Sequence, residues 1–275
     1  MKVEGLDQEG IFTLRRLEEA QALKERAREA KELVVIGGGL LGLEAAQALC
    51  ASTGVHAYVL ERRGWPLSRQ LDRRGGELLM DRLRKMGVEI VTEAQSGRII
   101  DGDLVLIATG IKPNAELAQE AGLEVNRGVV VDERLQTSAS GVYAAGDVVE
   151  FDGRVYGIIP AALEQARVAA LAALGKEAEY RGTVPSNALH VARIELFSAG
   201  EVDPAEAGYE VVRVEDEERG VYKKLVFKGD RLVGAILLGT KKNAVHFARL
   251  IASGWELPGY REKLLAEDFD FKALG

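Results

Sequence analysis

A single cysteine, Cys50, stands among 275 residues, so no intramolecular disulfide can form and nothing asks for an oxidising compartment. Cytoplasmic residence is the resulting expectation. Histidine is nearly as scarce. His56, His190 and His246 lie far apart, and with one thiol they give no thiolate cluster, iron–sulfur ligand set or structural zinc pattern, so no metal site is expected. Long apolar runs are missing as well. The most apolar stretch, residues 33–52, contains three consecutive glycines together with Glu44 and Gln47, and the first residues are charged, so neither a leader nor a membrane span is expected. Positive charge is in deficit: 36 Lys and Arg face 43 Asp and Glu, for a net charge of -7. The short basic pairs are interleaved with acids, which argues against a nucleic-acid binder needing a continuous basic face.

What is present is 47% hydrophobic sequence, enough for about two domains at roughly 150 residues each. Residues 1–30 read as a turn at 5–10, a short strand at 11–13 and a charged helix over about 14–30, capped by Thr13, with Leu14, Leu17 and Leu23 on its apolar side. Such a segment is too small for a domain and reads as the tail of something larger. From Leu33 the pattern alternates between strands at 33–36, 55–60, 88–92 and 103–108 and helices ending near 51 and spanning about 72–86. Continuous apolar strands separated by helices predict a parallel sheet covered on both faces. A short helix at 115–121, a strand at 128–132 and a helix over about 160–174, with Pro160 in its first turn, follow. Beyond Gly175, strands at 211–214, 222–227 and 232–238, a turn at Lys228-Gly229-Asp230 and a helix at 243–253 predict a small separate unit of α and β structure.

Between the strand at 33–36 and its helix lies Gly37-Gly38-Gly39-Leu40-Leu41-Gly42, a GxGxxG pattern, and Glu61 follows 19 residues after Gly42 at the end of the next strand. That is the full context of a dinucleotide fingerprint. Gly37 permits the tight turn, Gly39 lets backbone N–H groups approach a pyrophosphate, and Gly42 allows close packing of helix on strand. Glu61 can accept hydrogen bonds from an adenosine ribose, and its charge repels a 2′-phosphate, which favours NAD(H). Arg62 and Arg63 come next and could pair with such a phosphate, so NADP(H) stands as the second choice. The bland alternative is a glycine turn that only connects strand to helix.

Three motifs occur in order, the first of them around this glycine turn. LVVIGGGLLGLEAA at 33–46, DLVLIATGIKPN at 103–114 and TSASGVYAAGDVV at 137–149 resemble those of the FAD-dependent pyridine nucleotide-disulfide oxidoreductase superfamily. VYGIIPAALEQARVAA at 155–170 and GTVPSNALHVARIELFSAGEV at 182–202 are similar to the branch that holds NADH-rubredoxin reductases, NADH oxidases and the flavoprotein part of nitrite reductases. The resemblance implies an α/β fold: a Rossmann-like NAD(H)-binding domain at 31–110, the partial FAD domain of a two-dinucleotide-binding flavoprotein at 1–30 and 111–178, and a small α+β C-terminal domain at 179–275. It implies FAD and NAD(H) as cofactors. Gly146 and Asp147 match the flavin motif whose acid binds the ribityl and pyrophosphate region. Ile158, Ile159 and Pro160 match the segment that brings a helix N-terminus to the flavin pyrimidine edge, Glu44 the acid near the nicotinamide carboxamide, and Thr109 and Gly110 the turn leading out of the NAD domain.

Two departures from the resembled pattern stand out. No second glycine turn for the ADP half of FAD precedes Gly37, and only ten residues separate Thr92 from Asp103, where a longer meander is usual. The implied function is electron transfer from NAD(P)H through FAD to a small acceptor or redox protein such as rubredoxin, oxygen or a nitrite reductase centre, in a chain expected to self-associate as a homo-oligomer. Two alternatives remain. One is a catalytically incomplete NAD-binding or dimerising module; the other is a flavin-free NAD-dependent dehydrogenase, for which no motif supplies an acid–base group. No catalytic residue is assigned. Cys50 reads as a buried packing residue, and the pairs Lys223-Lys224 and Lys241-Lys242 as solvated faces.

Overall fold

The computed structural model describes residues 9–94, 103–184, 186–191, 193–266 and 268–274, with the backbone alone at 186–191. The expectation of a trimmed loop between Thr92 and Asp103 therefore lies largely outside the described residues. Two compact bodies are formed, one from residues 1–110 with 186–275 and the other from residues 111–185.

The first body begins with β1 (Ile11–Phe12), α1 (Leu17–Ala27), β2 (Glu32–Ile36), α2 (Leu40–Thr53), β3 (His56–Leu60), α3 (Arg73–Arg84), β4 (Val88–Val91) and β5 (Leu104–Ile107). The strands lie in the order β1-β5-β2-β3-β4 and every pairing is parallel. Leu33, Val35, Ala57, Val59, Leu104 and Leu106 are buried. Helices α1, α2 and α3 all share a core with this face of the sheet. Val34 and Val105 on the opposite face are buried too, which accounts for the continuous apolar runs of β2 and β5, whereas β4 alternates, with Val88 and Ile90 buried and Glu89 and Val91 exposed, so the predicted cover on both faces holds for the central strands only.

The opening segment departs from expectation. β1 pairs with β5, Ile11 opposite Val105 and Phe12 opposite Leu106, so described residues 9–30 join the parallel sheet, where the sequence placed them with the partial FAD domain. An apolar Ile-Phe pair satisfies an edge that β5 would otherwise leave open. Helix α1 starts three residues later than Thr13 suggested, because Glu19 supplies the cap: its Oε2 accepts from the backbone N–H of Arg15 at 2.6 Å and of Arg16 at 3.3 Å.

The second body contains α4 (Glu116–Glu120), β6 (Val129–Val130), β7 (Val149–Glu150) and α5 (Ile159–Ala173). β6 and β7 pair in parallel, and a small core gathers Val131, Leu135, Val149, Val168, Ala169 and Tyr180. Ile158 is the N-cap of α5, which places Pro160 second in the helix, where its missing N–H costs nothing.

The chain then returns to the first body as β8 (Ser186–Val191), β9 (Ile194–Gly200), β10 (Tyr209–Asp216), β11 (Val221–Lys228), β12 (Arg231–Leu238) and α6 (Ala244–Ser253). These strands form an antiparallel sheet ordered β10-β11-β12-β9-β8. Strands β8 and β9 escaped the sequence reading. β9 reads Ile-Glu-Leu-Phe-Ser-Ala-Gly and buries Leu196, Phe197, Ser198 and Ala199 in a row, without the alternation of a one-faced strand.

Both faces of β9, β11 and β12 are buried. Phe197, Leu225, Phe227 and Leu237 pack with Phe247 and Leu250 of α6, while Ile194, Leu196, Tyr222, Ile236 and Leu238 belong to the same core as Leu79, Leu83 and the strands of the parallel sheet. The separate C-terminal unit expected from the sequence is thus a second layer in the same compact body as the parallel sheet. A sheet with two apolar faces cannot stand alone in water.

Leu79 is fully buried in this shared core, so Leu79→Ala is expected to cost about 2 to 5 kcal/mol. Urea unfolding followed separately through Trp65 and through Trp255, each with the other replaced by Phe, should show both transitions moving together. A shift seen by Trp65 alone would mean two independently folding parts.

Candidate functional site

From β2 the chain moves outward through β3 to β4, and the next strand, β5, lies on the other side of β2, so the strand order reverses at β2. Such a reversal opens a crevice at the carboxyl ends of the strands. The glycine turn follows β2 at that point. Gly37 has φ of 114°, and a Cβ there would sit 2.4 Å from the Ala108 carbonyl oxygen, so no side chain is accommodated. Its N–H donates to the Leu60 carbonyl at 2.9 Å. At Gly42 a Cβ would lie 2.3 Å from the Gly37 carbonyl oxygen and 3.1 Å from Val35 Cγ1, so helix and strand touch backbone to backbone. Gly39 differs. It is the N-cap of α2, and a Cβ there would meet nothing within 4 Å.

No side chain caps α2, and its first turn carries no acid, so the leading N–H groups around Leu40 and the half-exposed Leu41 keep their donors for an outside acceptor. Together with the helix dipole this favours an anion. Glu61 is fixed beside the turn: Oε2 accepts from Gly38 N–H at 3.0 Å, and Oε1 accepts from Arg63 N–H at 2.8 Å. Each oxygen retains a further lone pair. Gly38 is itself required, since a Cβ would come within 2.7 Å of Glu61 Oε2. Arg62 and Arg63 are exposed, as are Glu44 on α2 and Thr109 and Gly110 after β5. The loop leaving β3 is tied back to the turn by Leu67, whose N–H donates to the Gly38 carbonyl at 3.0 Å. Leu67, with φ of 51°, was not found from sequence, where nothing distinguishes it from a packing leucine.

In the second body Gly146 adopts φ of 93° and donates its N–H to Gln165 Oε1 at 2.9 Å. Gln165 is buried, its amide donates to the Tyr180 hydroxyl at 3.4 Å, and that hydroxyl pairs with Thr183 Oγ1 at 2.8 Å. Burial, ahead of its hydrogen bonds, pushes the Tyr180 phenol up. Sequence reasoning passed over Gln165, although it stands at a core spacing with Ala161, Val168 and Ala172, where a polar residue needs a partner. Asp147, next to Gly146, is exposed and makes no side-chain hydrogen bond among the described residues. Ile158 opens α5, and Ile159 is 76% exposed beside Pro160.

Of the remaining candidates, the side chain of His190 lies outside the described residues. Burial holds the Cys50 thiol up, and its Sγ donates to the Gly87 carbonyl at 3.5 Å. His246 stacks on Phe271, and His56, exposed at the start of the otherwise buried or half-buried β3, lies near Glu89. No grouping of three metal-ligating side chains occurs among the described residues.

The parallel sheet and its glycine turn define a dinucleotide-binding α/β protein. Residues 1–173 match the pyridine nucleotide-disulphide oxidoreductase family and residues 185–255 the rubredoxin NAD+ reductase C-terminal domain, so the chain belongs to the pyridine nucleotide-disulphide oxidoreductases, a family of FAD-dependent NAD(P)H oxidoreductases. It is 36% identical to a nitrite reductase [NAD(P)H] of Bacillus subtilis, over 87% of this chain and 32% of that one. It is 34% identical to the NADH-rubredoxin oxidoreductase of Clostridium acetobutylicum, over 84% of this chain and 62% of that protein. The crystal structure of NADH:rubredoxin oxidoreductase from Clostridium acetobutylicum superposes with a TM-score of 0.78 at 31% identity, covering 95% of this chain and 68% of its own. A NAD-dependent persulfide reductase from A. fulgidus gives 0.81 at 29% identity, covering 92% and 55%. The chain thus spans between a third and about three fifths of the curated relatives named here.

The two glycines of the turn should separate by substitution. Gly42→Val forces side-chain atoms into backbone and is expected to destabilise the fold by several kcal/mol, whereas Gly39→Val enters open space and should cost about 1 kcal/mol or less. Only the folded Gly39→Val protein should then lose NADH binding in calorimetry; retained affinity would remove the turn from the site.

Proposed function

We propose that the turn at 37–42 holds the pyrophosphate of NADH, and that the chain supplies the nicotinamide-nucleotide half of an oxidoreductase passing electrons from NADH through FAD to a small acceptor or redox protein. The observation that carries this reading is the open space over Gly39 at an uncapped helix N-terminus, with Glu61 fixed alongside. The pyrophosphate would receive hydrogen bonds from the first-turn amides of α2, and the free lone pairs of Glu61 would accept from the adenosine ribose. NADH is preferred because Glu61 repels a 2′-phosphate; exposed Arg62 leaves NADPH as a weaker ligand. Glu44 would face the carboxamide of the nicotinamide, and Thr109 and Gly110 would border it.

The residues of the second body fit one end of FAD. Asp147 has a carboxylate free for ribityl hydroxyls, on a turn held by buried Gln165, and the α5 N-terminus at Ile158, Ile159 and Pro160 would place positive partial charge toward the pyrimidine edge. When bound, the flavin accepts the hydride and hands electrons onward, chemistry that asks no acid–base group of the protein. The acceptor belongs to the class served by relatives named for rubredoxin and nitrite. Self-association and cytoplasmic residence complete the proposal; no helix among the described residues is long and apolar enough to cross a membrane.

Replacing Glu61 with Ala removes a ribose acceptor, a repulsive charge and the brace on Gly38. NADH affinity should fall about tenfold or more, equivalent to about 1.4 kcal/mol, and the preference over NADPH should narrow. An unchanged affinity ratio in calorimetry would show that Glu61 does not read the ribose.

The 275-residue chain carries one glycine turn, so FAD should be held mainly at its ribityl and ring end. Forgoing several charge-assisted contacts of about 1.5 to 3 kcal/mol each is expected to leave the purified chain nearly colourless. Stoichiometric FAD surviving gel filtration would show instead that the second body is a sufficient site. NADH binding with no NADH consumption, even with FAD added, would favour the binding-module alternative.

A further inference from the structure

We propose that the C-terminal sheet sets the loop on the ribose side of the nucleotide site, and that Asp72 is the positioning residue through which it acts. This deepens the NADH reading of the glycine turn and rests on it.

Lys223-Lys224 was expected on a solvated face. Lys224 is instead 5% exposed, because it shares a face of β11 with Tyr222, the face directed at the nucleotide fold. Its Nζ donates to Asp72 Oδ2 at 2.8 Å and to Asp203 Oδ1 at 3.4 Å. The hydroxyl of the fully buried Tyr222 donates to the same Asp72 Oδ2 at 2.7 Å. Asp72 Oδ1 accepts from Gly75 N–H at 3.0 Å and so caps α3. A carboxylate buried this far is tolerated only when its oxygens are matched, and here an ammonium, a phenol and a helix N-terminus match them. Two of the three come from 150 and 152 residues away in sequence.

Asp72 also ends the loop that Glu61 begins. Within that loop Trp65 Nε1 donates to the Leu71 carbonyl at 3.0 Å, and the N–H groups of Gln70 and Leu71 donate to the Leu67 carbonyl at 2.7 and 2.9 Å. Leu67 N–H in turn donates to the Gly38 carbonyl, and Gly38 N–H to Glu61. Trp65 is pressed against α3 so closely that a Cβ on Gly76 would lie 2.5 Å from Trp65 Cβ. Two further ties fix α3 to the same sheet: Arg74 pairs with Glu215, and Arg82 donates to the Gly220 carbonyl. The loop bearing Arg62 and Arg63 is therefore strung between the end of β3 and a residue whose position the C-terminal sheet determines. The backbone of Glu61 and Arg63 is also bonded to the end of β4, through Val91, Glu93 and Ala94, so what the release of Asp72 slackens is the Leu67 tie on the Gly38 carbonyl, and with it the seat of Gly38 against the Glu61 carboxylate, which costs preorganisation of the site.

The test uses the full 275-residue chain with Tyr222→Phe, which deletes one oxygen, and independently Lys224→Met. Amide exchange at Leu67 and Gln70 should quicken at least tenfold in either folded variant while the centre of β2 at Val34 and Val35 keeps its protection. NADH should bind at least threefold more weakly, and the NADH to NADPH affinity ratio should change. A role confined to stability would lower the melting temperature and leave both the exchange contrast and the ratio untouched; that result overturns the proposal. If the parent chain bound neither nucleotide, the NADH reading would fail, and exchange at Leu67 would still decide whether Asp72 sets the loop.

Discussion

Strand β2 and helix α2 approach more closely than any side chain permits, and the rest of the nucleotide site depends on that contact. With hydrogen alone at Gly42, the first turn of α2 can lie against the carbonyl of Gly37 and aim its N–H groups at the mouth of the crevice. Gly37 must then turn with positive φ beneath β5, and Gly38 must pass the carboxylate of Glu61. Three neighbouring glycines thus answer three different close approaches, to Ala108, to Glu61 and to Gly37 itself. The fourth, Gly39, meets no protein atom, and an anion is what the surrounding donors would hold there.

Around this contact the molecule is built with less modularity than its sequence suggests. Helix α3 covers one side of the parallel sheet and is itself covered by the antiparallel one, so nucleotide strands and C-terminal strands bury a single core. Residues 111–185 make a body with its own small core around Tyr180 and Val168. The polar network of that body, from Gly146 through Gln165 to Tyr180 and Thr183, is internally satisfied, while Asp147 stays available for a ligand.

Local features were legible in the sequence. β2, the glycine turn, α2 and β3 follow from short apolar runs and glycine spacing, and the helix expected from about residue 72 begins at Arg73, with Asp72 as its cap. What could not be read was tertiary. Whether Lys224 faces water depends on what lies over β11, and a Lys-Lys pair looks the same in either case. The membership of β1 in the nucleotide sheet depended on a pairing with residues about 94 positions later, which two apolar residues cannot announce. β9 was missed because both its faces are buried, leaving no alternation to detect. Glu61 was placed correctly at the end of its strand, but its hold on Gly38 required coordinates.

Amide chemical shifts recorded while NADH is added to the 275-residue chain test the site most directly. Saturable shifts concentrated on Gly38, Gly39, Leu40 and Leu41, with a second group at residues 61–63, are the expected result. Saturable binding that leaves those amides unmoved, or no binding at millimolar NADH, would contradict the assignment of the turn as the pyrophosphate site.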